Sequence, residues 1–237
     1  MSPDSFEIAT RFRGPPDSGN GGYTCGRLAA FVEAEAVQVS LRLPPPLERP
    51  LTVERRGGGA VLLDGEALVA EAEPAELSID LPAPVSPADA EAGVTRSPFL
   101  DPDGHAFPGC FVCGPGRAPG DGLRIFAGPA AGEVWASPWT PDPSLADEGG
   151  TVSPEFAWAA LDCPTGAVSA NPGSDPPVVL ARMTCRLSGR VEAGSPHLLQ
   201  SWRIGWDGRK RHAGSALYDA AGNVLGAARA LWIELRR

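Results

Sequence analysis

Four consecutive residues, Asn20-Gly21-Gly22-Tyr23, have the composition of a helix start whose amides can hydrogen-bond a reacting group. Asn20 is a good N-cap for a helix predicted over 21–33. The first amides of a helix have no partner within it and carry the positive end of its dipole. Two glycines allow close approach to those amides. We therefore expect Gly21, Gly22 and Tyr23 to offer N–H groups that polarise a carbonyl, although Asn20 is also explained as an ordinary cap.

Two carboxylates are predicted to lie on a second helix. Ser153 and Pro154 are favoured at a helix start, and they predict a helix over 155–163 that the following proline breaks or kinks. Asp162 comes two turns after Glu155, so both carboxylates face nearly the same side. If that side is partly buried, the pKa of Asp162 rises and it can act as general base or nucleophile. Alternatively, Asp162 hydrogen-bonds the next turn, and Glu155 simply suits the helix dipole.

A pair of cysteines, Cys110 and Cys113, has the Cys-x-x-Cys spacing, with His105 five residues earlier. Structural zinc requires four ligands, and no second such pair exists in the sequence, so we expect no metal site. No helix signal follows Cys113, which disfavours a redox pair. The remaining reading is a turn whose thiols pack against a sheet. The other cysteines and histidines are scattered singly: Cys25, Cys163, Cys185, His197 and His212.

The elements that must position these residues occur twice. Val-Gln-Val-Ser-Leu-Arg-Leu at 37–43 and Ala-Arg-Met-Thr-Cys-Arg-Leu at 181–187 share the same period-two alternation. One predicted helix precedes each strand, and further strands and turns follow it. This order predicts an α+β fold in which each copy wraps a curved antiparallel sheet around one helix. The residues expected to face the core are Val37, Val39, Leu41 and Leu43 in one copy, and Ala181, Met183, Cys185 and Leu187 in the other. The following strands are expected over 51–55, 60–72, 198–206 and 211–232.

Composition and charge exclude some classes of function. The chain has 237 residues, and its net charge of −9 argues against a nucleic-acid partner. No apolar run approaches the length of a membrane span, and the first residues do not resemble a signal peptide. The odd number of cysteines, five, indicates reduced thiols. These observations predict a cytoplasmic protein without a membrane partner.

Several short motifs resemble one protein superfamily. The first half resembles the N-terminal repeat of double hot-dog acyl-CoA thioesterase-like proteins. The second half is similar to the segment that leads into single hot-dog thioesterases of the phenylacetyl-CoA type. The motifs are Asn20-Gly21-Gly22-Tyr23, Val39-Ser40-Leu41-Arg42-Leu43-Pro44, Gly58-Gly59 and Leu62-Leu63-Asp64-Gly65, then Cys110-Phe111-Val112-Cys113-Gly114-Pro115 and Gly120-Asp121-Gly122-Leu123. The resemblance implies a tandem (double) hot-dog, with repeats at 1–75 and 105–237 and a linker rich in Pro, Ala and Asp at 76–104.

The resemblance also implies where a site lies: between the helix start of one unit and a carboxylate on the helix of the other. When the family's His-Gly-Gly start is placed on residues 20–22, its acid position falls on Ala29, so the first repeat lacks the acid. The same pattern placed on 153–155 puts Asp162 at the acid position. One composite site results, with catalytic Asp162, Gly21 and Gly22. Asn20 stands where the family has histidine, so an imidazole role is lost there.

The resemblance implies an acyl-CoA or related thioester as substrate, with no cofactor beyond the coenzyme A it carries. Residues expected to bind the substrate are Asn20, Tyr23 and Glu155. The basic run Arg209-Lys210-Arg211 is expected to bind the phosphates of coenzyme A. A solvated hairpin tip is the default interpretation of that basic run.

Three functions compete on these grounds. The first is an acyl-CoA thioesterase that hydrolyses its substrate at the composite site. The second is a non-catalytic hot-dog protein that binds an acyl thioester or another apolar ligand, favoured by the missing acid and histidine. The third, a hydratase or dehydratase, uses a histidine base, and none of the three histidines lies at a predicted helix start. The fused repeat already pairs two units, so both a monomer and a homodimer are compatible with the sequence.

Overall fold

The computed structural model describes residues 4–169 and 177–235. Its strands are β1 (Asp4–Glu7), β2 (Ala36–Leu41), β3 (Pro50–Arg56), β4 (Gly59–Asp64), β5 (Ala67–Ala75), β6 (Gly128–Ala131), β7 (Val134–Trp139), β8 (Val178–Leu187), β9 (His197–Asp207), β10 (Lys210–Tyr218) and β11 (Val224–Glu234). Its helices are α1 (Gly21–Ala29), α2 (Pro87–Thr95) and α3 (Pro154–Ser169). Three short 3-10 helices lie at Thr10–Phe12, Pro98–Leu100 and Pro143–Leu145.

The strands form one antiparallel sheet of eleven strands, in the order β1-β3-β4-β5-β2-β8-β11-β10-β9-β7-β6. Read outward from its centre, the order β2-β5-β4-β3 of the first half matches β8-β11-β10-β9 of the second. The two halves therefore repeat one topology. This is the tandem hot-dog architecture that the repeated strands predict.

The two strands that reveal the repeat in the sequence pair with each other. In the β2–β8 ladder Val37 lies opposite Cys185 and Val39 opposite Met183. All four of these side chains are buried, as their alternation predicts. This central ladder joins the two halves into one sheet, so the edge strand that each half would otherwise expose is paired.

Helices α1 and α3 pack against each other, and both contact β8, so they lie on the same side of the sheet. The apolar core fills the space between these helices and the strands. Its fully buried side chains include Leu28 of α1, Leu161 of α3, and Leu62 and Leu217 of the sheet. The core thus spans both repeats and fixes one helix relative to the other.

The sequence predicts that helix α3 breaks or kinks at Pro164. In the structure the helix continues through this proline to Ser169. Proline removes one backbone donor from the helix and crowds the preceding turn. Side-chain hydroxyls bond the carbonyls of that turn: Ser215 Oγ donates to Leu161 O and Thr165 Oγ1 to Asp162 O, each at 2.6 Å. The carbonyl that loses its helical donor at Pro164 is that of Ala160, and these bonds tie the two carbonyls after it to the sheet and to the helix itself.

Other expectations also need correction. Helix α1 ends at Ala29 rather than at residue 33, because its last turn tightens into i→i+3 hydrogen bonds from Phe31 and Val32. Leu43 is 46% exposed, since β2 ends at Leu41 and the chain leaves the sheet there. The segment 76–104 lies in the connection between β5 and β6, and it contains helix α2, which packs against β6 and β7 and which the prediction of a linker did not include.

Within residues 4–169 and 177–235, no helix is long and apolar enough to cross a membrane.

Candidate active site

The start of α1 is capped as the sequence predicts. The Asn20 side chain accepts a hydrogen bond from the Tyr23 amide at 2.9 Å, and the Asn20 carbonyl accepts from the Thr24 amide at 3.0 Å. The Tyr23 amide is therefore occupied by the cap. The Gly21 amide has no hydrogen-bond partner among the described residues, and it is the donor of this helix start that a ligand can use.

Two glycines of α1 bring α3 unusually close. A Cβ on Gly22 would lie 2.4 Å from the Asp162 Cβ, and one on Gly26 would lie 2.6 Å from the Glu155 Cα. No larger residue fits at either position unless the helices separate. The glycines of Gly-Gly-Tyr-Thr-Cys-Gly therefore serve helix packing as well as ligand access, and they bring a carboxylate of the second repeat to the helix start of the first.

Asp162 sits at the N-terminus of α1, where the composite site was expected. Its Oδ2 accepts hydrogen bonds from the Gly22 amide at 2.8 Å and from Asn20 Nδ2 at 3.4 Å. Its Oδ1 is buried and has no partner among the described residues. The residue is only 1% exposed. Burial raises the pKa of Asp162 to about 7, against the lowering effect of the Gly22 amide.

Three cysteines meet beside this carboxylate. Cys110 and Cys113 belong to the Cys-x-x-Cys turn, and Cys163 follows Asp162 on α3; their sulfur atoms all lie within 4.8 Å of one another. Hydrogen bonds from the Cys113 and Cys163 thiols lower the pKa of Cys110 well below its usual value. The thiols of the turn thus lie against α3, a contact that the sequence did not predict. Cys163 has no pattern in the sequence that links it to the pair.

A cavity of about 590 Å³ opens at the same place. It is lined by Asn20, Gly21, Asp162 and the three cysteines, and its walls are mainly apolar. The apolar wall includes Leu41, Phe99, Phe107, Val178, Leu180 and Trp232. Trp232 is held by a hydrogen bond from its indole N–H to Thr165 Oγ1 at 2.7 Å. The site therefore combines one buried carboxylate and one free amide with a large apolar space.

His105 and Arg42 also line the cavity, and no motif in the sequence links them to this site. His105 Nδ1 accepts from the Phe107 amide at 2.9 Å, which places the ring proton of the neutral imidazole on Nε2. That Nε2 is buried and has no partner in the described part of the chain. Arg42 is exposed, and its guanidinium bonds Glu71 at 2.9 Å.

Other predicted site residues lie away from the cavity. The Tyr23 ring is buried, stacks on Phe12 and accepts a hydrogen bond from Arg27. Glu155 lies on the same face of α3 as Asp162, as its spacing predicts, but it packs beside Gly26. Neither residue lines the cavity.

The basic run is not at the cavity either. Arg209, Lys210 and Arg211 lie at the β9–β10 hairpin and do not line it. Arg211 forms a 2.6 Å ion pair with Glu234, and Lys210 lies 3.9 Å from Asp207. This local pairing agrees with a hairpin tip.

No protein-family model and no curated protein sequence matches the chain. Solved structures do match it over nearly its whole length. A Novosphingobium aromaticivorans protein provisionally named a thioesterase has a TM-score of 0.63 at 11% identity, covering 98% of this chain and 95% of the other. A hot-dog protein of unknown function from Alicyclobacillus acidocaldarius has a TM-score of 0.60 at 11% identity, covering 98% and 93%. The tesB protein of Mycobacterium avium subs paratuberculosis has a TM-score of 0.59 at 12% identity, covering 98% and 92%.

At these identities the likeness shows the fold alone. The chain has the double hot-dog fold that these structures of thioesterases and hot-dog proteins share. The fold that the resemblance implied is thereby confirmed. Fold alone does not assign a reaction, so the function has to be argued from the site.

Proposed function

We propose that the protein hydrolyses an acyl thioester, with acyl-CoA as its substrate class, at the composite site between the two repeats. The observation that supports this most directly is the placement of Asp162. Its carboxylate is 2.8 Å from the Gly22 amide at a helix start, with a second oxygen that has no described partner. A carboxylate and an unpartnered helix amide beside one apolar cavity are what thioester hydrolysis requires.

In the proposed reaction each of these groups has one role. The Gly21 amide donates to the carbonyl oxygen of the thioester and stabilises the negative charge that forms there. Asp162 Oδ1 takes a proton from a water molecule, whose oxygen bonds to the carbonyl carbon. The carbon–sulfur bond then breaks, and the leaving thiolate takes the proton back from Asp162. The products are a carboxylic acid and coenzyme A, and no further cofactor is used.

Gly22 and Asn20 act as positioning residues in this scheme. Both donate to Asp162 Oδ2, at 2.8 and 3.4 Å, and so leave Oδ1 as the basic oxygen. Asn20 also caps α1, which aligns the Gly21 amide with the helix axis. A histidine is not required for this arrangement, which accounts for a working site without the family's imidazole.

The cavity accounts for the acyl group. A volume of about 590 Å³ with walls of leucine, valine, phenylalanine and tryptophan accepts an apolar chain or ring. Among the described residues that line it, Arg42 is the one with a permanent positive charge, and it is exposed to solvent. Arg42 is therefore the stronger candidate for a contact with the phosphates of coenzyme A, and the basic hairpin is the weaker one.

A second function is supported by a specific observation. The Gly22 amide is already bonded to Asp162, so only one unpartnered amide faces a substrate carbonyl. A site with a single donor can hold an acyl thioester without hydrolysing it. The protein would then be a binding module for an apolar thioester.

The test is thiol release from a panel of short, long and aromatic acyl-CoAs. The wild-type protein is compared with Asp162→Asn, which keeps an oxygen to accept the Gly22 bond. Asp80→Asn is the matched control, because this substitution removes the same charge from an exposed position. We expect a loss of about a hundredfold or more in Asp162→Asn, as for the removal of a general base, and wild-type rates in the control.

Two other outcomes would contradict parts of this proposal. Equal rates in wild type and Asp162→Asn would refute the role of Asp162. No thiol release from any substrate, combined with measurable binding of an acyl-CoA, would favour the binding module.

A further inference from the structure

Three cysteines that are far apart in the sequence converge on one point. Cys110 and Cys113 come from the turn that precedes β6, and Cys163 comes from the middle of α3. All three are buried, and no cysteine of the chain is in a disulfide. Thiols are weak hydrogen-bond donors, so hydrogen bonds between them contribute little stability. Such bonds do not explain why the three cysteines lie together. We propose that Cys110, Cys113 and Cys163 bind a zinc ion.

The sulfur spacing fits tetrahedral coordination. With Zn–S bonds of about 2.3 Å, two thiolates of a tetrahedral site lie about 3.8 Å apart. The observed distance between the sulfurs of Cys110 and Cys163 is 3.7 Å. All three sulfurs lie within 4.8 Å of one another, so the third needs to move by about an ångström at most. A disulfide, by contrast, needs a sulfur separation of about 2.05 Å.

The turn that carries the cysteine pair is tightly closed. The Gly114 amide donates to the Cys110 carbonyl at 2.9 Å, and a Cβ on Gly114 would lie 2.5 Å from that oxygen. Glycine is therefore needed for the turn to close. The closed turn keeps Cys110 and Cys113 near each other, so both sulfurs of the Cys-x-x-Cys pair can reach one metal ion.

Groups around the cluster support the charge of three thiolates. Asn20 Nδ2 lies 3.9 Å from the Cys110 sulfur and 3.7 Å from the Cys163 sulfur. It can donate to either ligand while its oxygen caps α1. Such outer hydrogen bonds orient metal ligands and are part of a metal site. The start of α1 adds its positive dipole end on the same side.

Among residues 4–169 and 177–235, none is placed to supply the fourth ligand. His105 Nδ1 accepts a hydrogen bond from the Phe107 amide, so its Nε2 carries the proton and acts as a donor. The oxygens of Asp162 lie outside the cluster of mutually close ligand atoms. All three cysteines line the cavity. A water molecule or a small ligand from the cavity therefore completes the tetrahedron.

Zinc at this point would tie the Cys-x-x-Cys turn to α3. The inference does not depend on the proposed hydrolysis, because it rests on the cysteines alone. Its test therefore measures metal content and spectra, not activity.

The full-length protein is purified with a reductant and without chelator, and its metals are counted by mass spectrometry. Metal-free protein is then titrated with Co²⁺. We expect one zinc per chain, and with Co²⁺ the sulfur-to-metal charge-transfer band and the visible bands of a tetrahedral site. Cys110→Ser and Cys163→Ser should lose both signals. Cys185→Ser should keep both, because Cys185 is equally buried but lies outside the cluster.

Other results would overturn the proposal. One is reduced wild-type protein, with all five thiols titratable after unfolding, that holds no metal and gives no cobalt band. A second is a Cys110–Cys163 disulfide that forms instead and persists in the presence of zinc. A third is equal loss of metal from the Cys185→Ser control, which would show that zinc binds without regard to this cluster.

Discussion

Asp162 should destabilise the folded protein at neutral pH, and its replacement by asparagine should remove this cost. Burial raises the pKa of this carboxyl from 3.8 to about 7 in the folded protein. Between these two values the folded state binds more protons than the unfolded state. The free energy of unfolding therefore falls as pH rises from about 4 to about 7, and then levels off.

The size of the effect follows from the two pKa values. A shift from 3.8 to about 7 is about 3 units, and at about 1.4 kcal/mol per unit this amounts to about 4 kcal/mol. In Asp162→Asn no group titrates at this position. Asparagine can accept the Gly22 bond, and its amide replaces the hydroxyl of the protonated acid, so the two proteins should be equally stable near pH 4. Above about pH 7 the variant should be more stable by about 4 kcal/mol, or by about 8–16 °C in melting temperature.

The assay is urea and thermal unfolding between about pH 4 and pH 8. Reductant and chelator are present, so that no metal ion alters the charge beside Asp162. Asp80→Asn removes the same charge from an exposed position and should follow the wild type at every pH. Wild-type and Asp162→Asn curves that stay parallel across this range would refute the reasoning, and so would a variant that is less stable at pH 8.

Three further predictions concern the geometry of the site. Gly22→Ala should lower the rate of thiol release about a hundredfold and stability by about 1–3 kcal/mol, because its Cβ would lie 2.4 Å from the Asp162 Cβ. Gly26→Ala should cost similar stability with a smaller loss of rate, and equal losses of rate would count against the Gly22–Asp162 contact. Trp232→Phe should shift preference toward bulkier acyl groups, and an unchanged profile across the acyl-CoA panel would remove Trp232 from the acyl wall. Arg42→Ala should raise KM for acyl-CoA about tenfold and Lys210→Ala should not, whereas the reverse result would place the phosphates at the hairpin.

Local patterns in the sequence were sufficient for much of the fold. The alternation at 37–43 and 181–187 predicts the two strands that pair at the centre of the sheet. The cap at Asn20 predicts the start of α1, because an N-cap depends on residues a few positions apart. The predictions for Leu43 and for the end of α3 were wrong because local patterns do not include contacts with distant parts of the chain. Whether a strand stays in the sheet, or a helix passes a proline, depends on partners such as Ser215 that lie far along the chain.

The site was predictable where a resemblance supplied the long-range contact. The pairing of Asp162 with the start of α1 joins residues 140 positions apart, and no local pattern encodes it. Cys163 likewise meets Cys110 from 53 positions away, and no local pattern links the two. The cavity walls are likewise a product of packing between the repeats.

The measurement that tests the composite site most directly is a structure with a non-hydrolysable substrate analogue. A 2-oxoalkyl-CoA keeps the carbonyl but separates it from sulfur by a methylene, so it cannot be hydrolysed. We predict that its carbonyl oxygen accepts a hydrogen bond from the Gly21 amide and that Asp162 Oδ1 faces the carbonyl carbon, with the alkyl chain in the cavity beside Trp232. A carbonyl bound away from the start of α1, with Asp162 out of reach, would contradict the account.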